Sequence, residues 1–278
     1  MWPFSSGPVV PVLRFSGPIG MATPLRQGLS LAGCADAIAR AFKLSKLPTV
    51  AVIINSPGGS PVQSSLIFKR LRQLADENDK KIYVFCEDVA ASGGYYLAVA
   101  GDEIYADACS IVGSIGVISG GFGFVEAIDK LGVERRIYTS GTAKSQLDAF
   151  KPEKPEDIAR LKAILGDIHD AFIGVVKDRR GGKIKSADAD VFTGAFWAAP
   201  KALELGLIDG ISDLRTRMQE LHGPKVKLKV VPLTKGGLLS MLRRPSMQML
   251  DAPAAGASFA DDLLSTAEAR ALWSRYGL

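Results

Sequence analysis

Two glycine-rich stretches hold the residues best suited to chemistry: Ser56-Pro57-Gly58-Gly59 and Ala90-Ala91-Ser92-Gly93-Gly94. In the second, small residues on both sides of Ser92 allow a sharp turn that leaves its hydroxyl at the start of a helix. The helix terminus supplies partial positive charge there, and the Gly93 amide is free to face a developing oxyanion. The plainer reading of the same residues is a helix cap in a tight turn, and the stretch by itself does not separate the two. In the first stretch, proline fixes one residue's dihedrals and two glycines free the next, which can turn amide hydrogens into a cavity. Two such amides from different loops would make an oxyanion hole, each donor worth about 3 to 4 kcal/mol in a transition state. An ordinary strand-to-helix turn is again the simpler alternative.

A serine nucleophile needs a base. The two histidines do not fit the part: His169 lies inside a long helical pattern and His222 precedes Gly223, so both suit surface or helix-end positions. A lysine remains. With a pKa of about 10.4, only about one lysine in 2,500 is neutral at pH 7, so burial has to lower that value. Lys144, in the small-residue loop Ser140-Gly-Thr-Ala-Lys-Ser145, is a candidate that composition alone does not select over Lys151 or Lys154. There is no Cys-x-x-Cys, no His-x-x-x-His, no Walker loop and only a Gly121-Phe122-Gly123 fragment of a dinucleotide fingerprint. Neither a metal nor another cofactor is expected.

The elements that must position these residues alternate. Val9 to Phe15, Thr49 to Ile54 and Lys81 to Cys86 read as strands; Leu29 to Phe42 and Pro61 to Ala75 read as helices. That order implies βαβ units and a parallel sheet, whose carboxyl edge gathers the loops that build sites. Both glycine-rich stretches follow strands. Farther on, Glu103 to Ala106, Ile115 to Ile118 and Glu134 to Thr139 are expected as short strands, and Phe122 to Leu131 as a helix. A long helix is expected over Glu156 to Arg179, strand-helix-strand over Asp190 to Asp209, and a half-exposed strand over Lys225 to Val231.

With 34 Lys+Arg against 29 Asp+Glu the chain carries a formal net charge of +5. The excess is local, because Leu214 to Leu250 holds eight basic residues and one acid, +7, leaving −2 for the rest. Nucleic-acid binding is not expected, since binders of that kind spread cations over a recognition face. No apolar run approaches the ~18 to 20 residues of a membrane span. The amino terminus lacks the pattern of a secretory signal, so a cytoplasmic or peripheral inner-membrane location is expected. Cys34, Cys86 and Cys109 are expected as buried free thiols. The run from Gly237 to Arg244 suggests peripheral membrane or subunit contact, with a solvated tail as the plain alternative. Residues 251–258 read as a linker and Phe259 to Tyr276 as a terminal helix.

Further motifs are Val-Gly-Ser-Ile-Gly-Val-Ile at 112–118, Ser-Gly-Thr-Ala-Lys at 140–144, and Phe-Thr-Gly at 192–194 followed by Gly-Leu-Ile-Asp at 206–209. With the two glycine stretches, and in this order and spacing, they resemble the bacterial signal peptide peptidase family (SppA, protease IV). The resemblance covers roughly Val9 to Ile211. It implies an α/β fold of the ClpP/crotonase type, built of repeated ββα/βαβ units in a single compact domain. The expected segments are 1–8, a 9–211 peptidase domain, a basic extension over 212–250, and a linker with terminal helix over 251–278. It also implies Ser92 as nucleophile, Lys144 as general base and Ser114 as the hydroxyl that positions the lysine ammonium. The oxyanion amides would be those of Gly93 and of the Gly58-Gly59 pair, Gly59 in preference. Substrates would be unstructured or signal-peptide-like peptides, and a ring-like homo-oligomer could complete the Ser/Lys dyad across a subunit boundary. One departure is Asn55, where family members commonly carry Asp. Two other classes use similar loops: a crotonase-like acyl-CoA enzyme, and a non-catalytic scaffold for membrane partners.

Overall fold

A computed structural model describes residues 7–20, 28–185, 188–233, 266–267 and 270–278. The first half runs β1 (Val9–Ser16), α1 (Leu31–Leu44), β2 (Thr49–Ser56), α2 (Pro61–Glu77), β3 (Lys81–Ala91), α3 (Gly93–Ala98) and β4 (Glu103–Ala106). There follow β5 (Ile111–Gly113), α4 (Val125–Lys130), α5 (Pro155–Arg180), α6 (Asp188–Val191) and β6 (Phe196–Ala198). The last described elements are α7 (Ala199–Leu205), β7 (Gly210–Ile211), α8 (Leu214–His222) and β8 (Lys227–Val230).

Eight strands form one sheet in the order β6-β5-β3-β2-β1-β8, with β4 beside β3 and β7 beside β4. Every pairing is parallel except β5 with β6. This is the expected α/β class, in one compact domain. Alternation along the strands divides the core between two faces. Leu13, Phe15, Val52, Ile54 and Val84 meet α1, α2, α3 and α5, whereas Val10, Val12, Ile53 and Phe85 meet Met218 of α8. The apolar face of α1 repeats at helical spacing (Cys34, Ala37, Ile38, Ala41, Phe42), and Ser30 caps the helix by accepting from the Gly33 amide. Burying a side chain of this size is worth about 1.5 to 3 kcal/mol. Packing of the two faces therefore fixes which way each strand points, because a one-residue slip would turn its apolar set outward.

β3 is the longest strand and the one that forks. Tyr83 to Cys86 pair with β4, and Val89 to Ala91 pair with β5. Against β2 the pairing passes from Ile54↔Cys86 to Ser56↔Ala90, so Glu87 and Asp88 are surplus. Asn55 fills the irregularity: its Nδ2 donates to Asp88 Oδ2 at 2.6 Å, and its Oδ1 accepts from the Val89 amide at 3.3 Å. An aspartate could accept from Val89 but would put a second carboxylate against Asp88.

Four expectations need correction. Ile115 to Ile118 and Glu134 to Thr139 are not strands, because no neighbour among the described residues pairs with them; Ile118, Val133 and Tyr138 are 70%, 56% and 90% exposed. The helix expected at Phe122 is confined to Val125–Lys130 and buries none of its residues. The region expected as strand-helix-strand does hold that order in β6, α7 and β7, with α6 ahead of it and the second strand starting at Gly210. Cys109 is exposed, held in a turn where its amide donates to Asp107 Oδ1. Cys34 and Cys86 are buried and free, and burial pushes their thiols up to about 11 and about 12.

Of the basic segment, residues up to 233 are described, and β8 is the half-exposed strand expected there. The run at 237–244 and the linker at 251–258 lie outside the described residues. Within the expected terminal helix, 266–267 and 270–274 are helical. No helix among the described residues is long and apolar enough to cross a membrane.

Candidate active site

Ser92 stands where β3 ends and α3 begins, with φ 54° and ψ −122°. Serine rarely adopts this backbone conformation, which costs on the order of 1 to 3 kcal/mol and persists only where the surroundings enforce it. Here they do. The Ser92 amide donates to the Gly113 carbonyl of β5 at 2.8 Å, and its carbonyl accepts from the Tyr96 amide at 2.9 Å. α3 is buried along its whole length, and Tyr95 locks it by donating from its hydroxyl to the Leu207 carbonyl at 2.8 Å. Burial holds that phenol well above its ordinary pKa, so it stays a neutral donor. Although Ser92 occupies the N-cap position, its side chain makes no capping hydrogen bond. The simple cap reading of this turn is therefore not what the side chain does; it lines a cleft of about 360 Å³.

The first glycine loop arrives beside it. Ile19 donates its amide to the Gly58 carbonyl and accepts from the Ser60 amide, both at 2.8 Å. Residue 59 lies between these bonds, so its own N–H points the other way, as alternate peptides along an extended chain must. That other side is the Ser92 turn: a Cβ on Gly93 would lie 3.3 Å from the Gly59 nitrogen, and one on Gly58 would lie 2.8 Å from Ser92 Cβ. The contact at Gly58, where φ is also 102°, requires glycine, and the one at Gly93 leaves little room for more. The Gly58 amide is already engaged, donating to Ser56 Oγ at 3.2 Å, while Ser56 donates to the Gly17 carbonyl at 2.7 Å. The structure thus brings Ser92, Gly93, Gly58 and Gly59 together and leaves the Gly59 amide, not that of Gly58, available to a ligand.

Ser114 follows β5 as Ser92 follows β3. Ala91 pairs with Gly113, placing the two serines side by side about 5 Å apart at the ends of adjacent strands. Ser114 too has a positive φ, 55°, and is buried, its amide donating to the Ala195 carbonyl at 2.7 Å. Its neighbour Ile115 accepts from His169 Nε2 at 3.0 Å, so that histidine ties α5 to the site's floor. His222 Nε2 lies 3.1 Å from Thr49 Oγ1, at the opposite end of the strands.

Lys144 is not brought to Ser92 within the chain. It is exposed, in a stretch (116–154) exposed over most of its length, and does not line the cleft. Besides the glycine loops it is lined mostly by apolar residues: Tyr96, Val117, Ile118, Ile168, Phe172 and, from the end of the chain, Leu272. Sequence reasoning passed over Ser64, whose hydroxyl donates to the Ser60 carbonyl at 2.9 Å at the cleft wall. Its signal was a small polar residue one helical turn after Ser60, on the face that Ile67 and Leu71 bury. Arg275 also lines the cleft and carried no signal of that kind. No group of three or more His, Cys, Asp or Glu suited to a metal gathers among the described residues.

The family model of peptidase family S49 matches residues 75–229, more than half of the chain, and takes in Ser92, Ser114 and Lys144. The chain belongs to peptidase family S49. Among curated relatives of this S49 chain, a Brucella abortus protein named Na(+)/H(+) antiporter NhaA is 51% identical over 272 residues, covering 97% of this chain and 37% of that protein. A Synechocystis protein named as a protease is 34% identical over 189 residues, 66% of each chain. The chloroplastic serine protease SPPA of Arabidopsis thaliana is 30% identical over 214 residues, 76% of this chain and 31% of that one. The S49 chain spans little more than a third of the Brucella protein, so the antiport activity in that name does not pass to the shared part.

Proposed function

We propose that this S49 chain is a serine-type peptidase in which Ser92 is the nucleophile and the amides of Gly93 and Gly59 form the oxyanion hole. The observation carrying this reading is the strained, uncapped Ser92 facing a cleft beside two amides from separate loops. In the proposed reaction, neutral Lys144 takes the Ser92 proton as Oγ bonds to the peptide carbonyl carbon. The two amides hold the resulting oxyanion. Collapse breaks the C–N bond, the leaving amine takes the proton from Lys144, and water, deprotonated in turn by Lys144, releases the acid and restores Ser92. The buried Ser114, one strand over from Ser92, is suited to hold the lysine ammonium.

Because Lys144 is exposed and away from the cleft, the dyad is completed in a homo-oligomer, where the Lys144 loop of a second copy enters the cleft and loses water. The exposed apolar residues of the same stretch, Ile118, Phe122, Leu131 and Val133, support this, since such surface on one arm marks an interface. The substrate is an unstructured peptide presenting apolar side chains to Tyr96, Ile168 and Phe172, which signal-peptide fragments satisfy.

The test uses a fluorophosphonate probe and an unstructured peptide. Wild type should label at Ser92 and cleave; Ser92→Ala and Lys144→Ala should each lose cleavage. Mixing and reassembling the two inactive variants should restore a fraction of turnover, because some interfaces regain both groups. Full turnover by Lys144→Ala would remove the dyad. Absence of labelling together with tight coenzyme A binding would favour an acyl-CoA enzyme, and absence of labelling with Ser92-indifferent partner binding would favour a scaffold.

A further inference from the structure

The end of the chain reaches the Ser92 cleft, and its position there is built rather than incidental. Trp273, near the end of the terminal helix, and Tyr276, in the turn that follows and donating its amide to the Trp273 carbonyl at 2.9 Å, pack on Val89, Ala91 and Ile111. The Tyr276 ring meets Phe196 edge-on at 5.0 Å between centroids and is 7% exposed. These contacts fall on β3 and β5, the strands that lead into Ser92 and Ser114, and on their neighbour β6. Leu272 and Arg275 precede the two anchors by one residue each and share the adjoining face, which lines the cleft.

Arg275 is the only charged side chain among the described residues lining that cleft. No carboxylate among the described residues pairs with it. A guanidinium with no carboxylate partner among the described residues, at the rim of an otherwise apolar and hydroxyl-lined groove, presents a planar fork of donors, whose matching ligand is a carboxylate. Arg275 is itself exposed, so it acts as a rim charge, and the apolar walls serve to seat the neighbouring substrate residue so that the guanidinium meets the next group along the peptide.

We propose that Arg275 is a specificity-determining residue that recognises a carboxylate on the peptide substrate, carried next to the apolar residue that fills the cleft. This rests on the Ser92 peptidase reading and adds to it a substrate class: peptides with an acid beside an apolar residue, and not peptides with a cation there. The carboxylate has two sources, an Asp or Glu side chain or the free end of a short peptide.

The test is a set of unstructured peptides with one apolar core, varied in two matched pairs: an internal Asp against Asn, and a free terminal carboxylate against its amide. A Lys version completes the set. The readout is the ratio of kcat/KM within each pair rather than the rate on either peptide. Wild type should favour the carboxylate member of at least one pair by about tenfold, the size of one charge-assisted contact, and the pair that responds identifies the source. Arg275→Gln should level the ratio, and Arg275→Glu should invert the order of the Asp and Lys peptides. Where cleavage is slow, protection of Ser92 from the fluorophosphonate probe by each peptide gives the same comparison. Equal treatment of both pairs by wild type, or a preference that survives Arg275→Gln, overturns the proposal. Failure of Ser92 to label in wild type sinks the nucleophile reading as well, whereas labelling without discrimination sinks only the role of Arg275.

Discussion

Replacing Gly93 by alanine separates the oxyanion geometry from the stability of the fold. Gly93 is the first residue of α3, so alanine meets no backbone strain there and gains up to roughly 1 kcal/mol in helix propensity. Its Cβ, however, would lie 2.5 Å from Ser64 Oγ and 3.3 Å from Gly58 Cα and the Gly59 nitrogen. The first contact is about 1 Å inside ordinary van der Waals distance, and overpacking of this kind costs about 1 to 3 kcal/mol. The two effects leave a net loss of about 0 to 2 kcal/mol, a fall of a few degrees in Tm for a chain of this size. Relief by an outward movement of the Ser56-Pro-Gly-Gly loop would take the Gly59 amide off the proposed oxyanion position; losing one such donor lowers kcat by about 10²- to 10³-fold. Peptide turnover and thermal unfolding, measured on the same sample, should therefore diverge. Ser64→Ala in the Gly93→Ala background removes the shortest contact and should return stability more fully than turnover, because the two 3.3 Å contacts remain. Turnover within a few fold of wild type in Gly93→Ala would refute the placement of Gly59, and loss of turnover only in step with unfolding would refute its catalytic meaning.

Ser92→Gly and Ser92→Ala should both abolish cleavage, yet the glycine variant should unfold at the higher temperature, by about 1 kcal/mol of stability, since only glycine accepts φ 54° without strain. Arg180 is 1% exposed, donating from Nε and Nη2 to the Gly206 carbonyl and from Nη1 to Asp209 Oδ2 at 2.6 Å, so Arg180→Ala should cost about 2 to 4 kcal/mol in denaturant unfolding by leaving a buried gap, an unpaired Gly206 carbonyl and an Asp209 carboxylate held by Lys183 as its one remaining cation among the described residues. Burial disfavours the charged form of Asp209, but hydrogen bonds from Arg180 and Lys183 outweigh it and hold the carboxyl below the ordinary range. Its contribution is thus complete above the unfolded value near pH 4 and is lost as pH falls through the lower folded value; Asp209→Asn should flatten the urea midpoint against pH in that window. In the native protein a thiol reagent should modify Cys109 alone, with Cys34 and Cys86 reacting only on unfolding, and fast native labelling of all three would contradict their burial.

The elements most legible in the sequence are those whose apolar period is satisfied inside one chain. β1, β2, α2 and α5 lie within about two residues of their expected limits, because each buries the face that its pattern displays. Ile115 to Ile118 and Glu134 to Thr139 show the same kind of pattern without a neighbouring strand to satisfy it, and they stay exposed. β3 runs on through Ala91 because a fork in the sheet gives Val89 to Ala91 a new partner, β5, which no local pattern announces. At the site, the Ser92 turn and the glycine loop were readable as small residues following strands. The cleft was not: its walls come from α3, α5 and the chain end, separated by up to 180 residues and joined only by packing. Lys144 illustrates the same limit, since a loop's composition describes the residue but not where the loop goes.

The surplus of Glu87 and Asp88 in β3 has a consequence for how this architecture tolerates change. Beyond it, Ser56 lies opposite Ala90 and Ala91 opposite Gly113, so Gly58, Ser92 and Ser114 fall into one rank across the ends of three neighbouring strands, with Gly59 and Gly93 in the rank above. Alignment of the proposed reacting groups is therefore counted in whole residues from three separate starting points. Because strand side chains alternate, adding or removing one residue between Thr49 and Ser56 would both shift a rank and turn the buried side of that strand outward. A two-residue change keeps the sides and shifts the rank alone. Lineages built on this frame should then vary freely in the identity of strand residues and in the length of the exposed 116–154 arm, while the number of residues between each strand's core and its member of the rank stays constant.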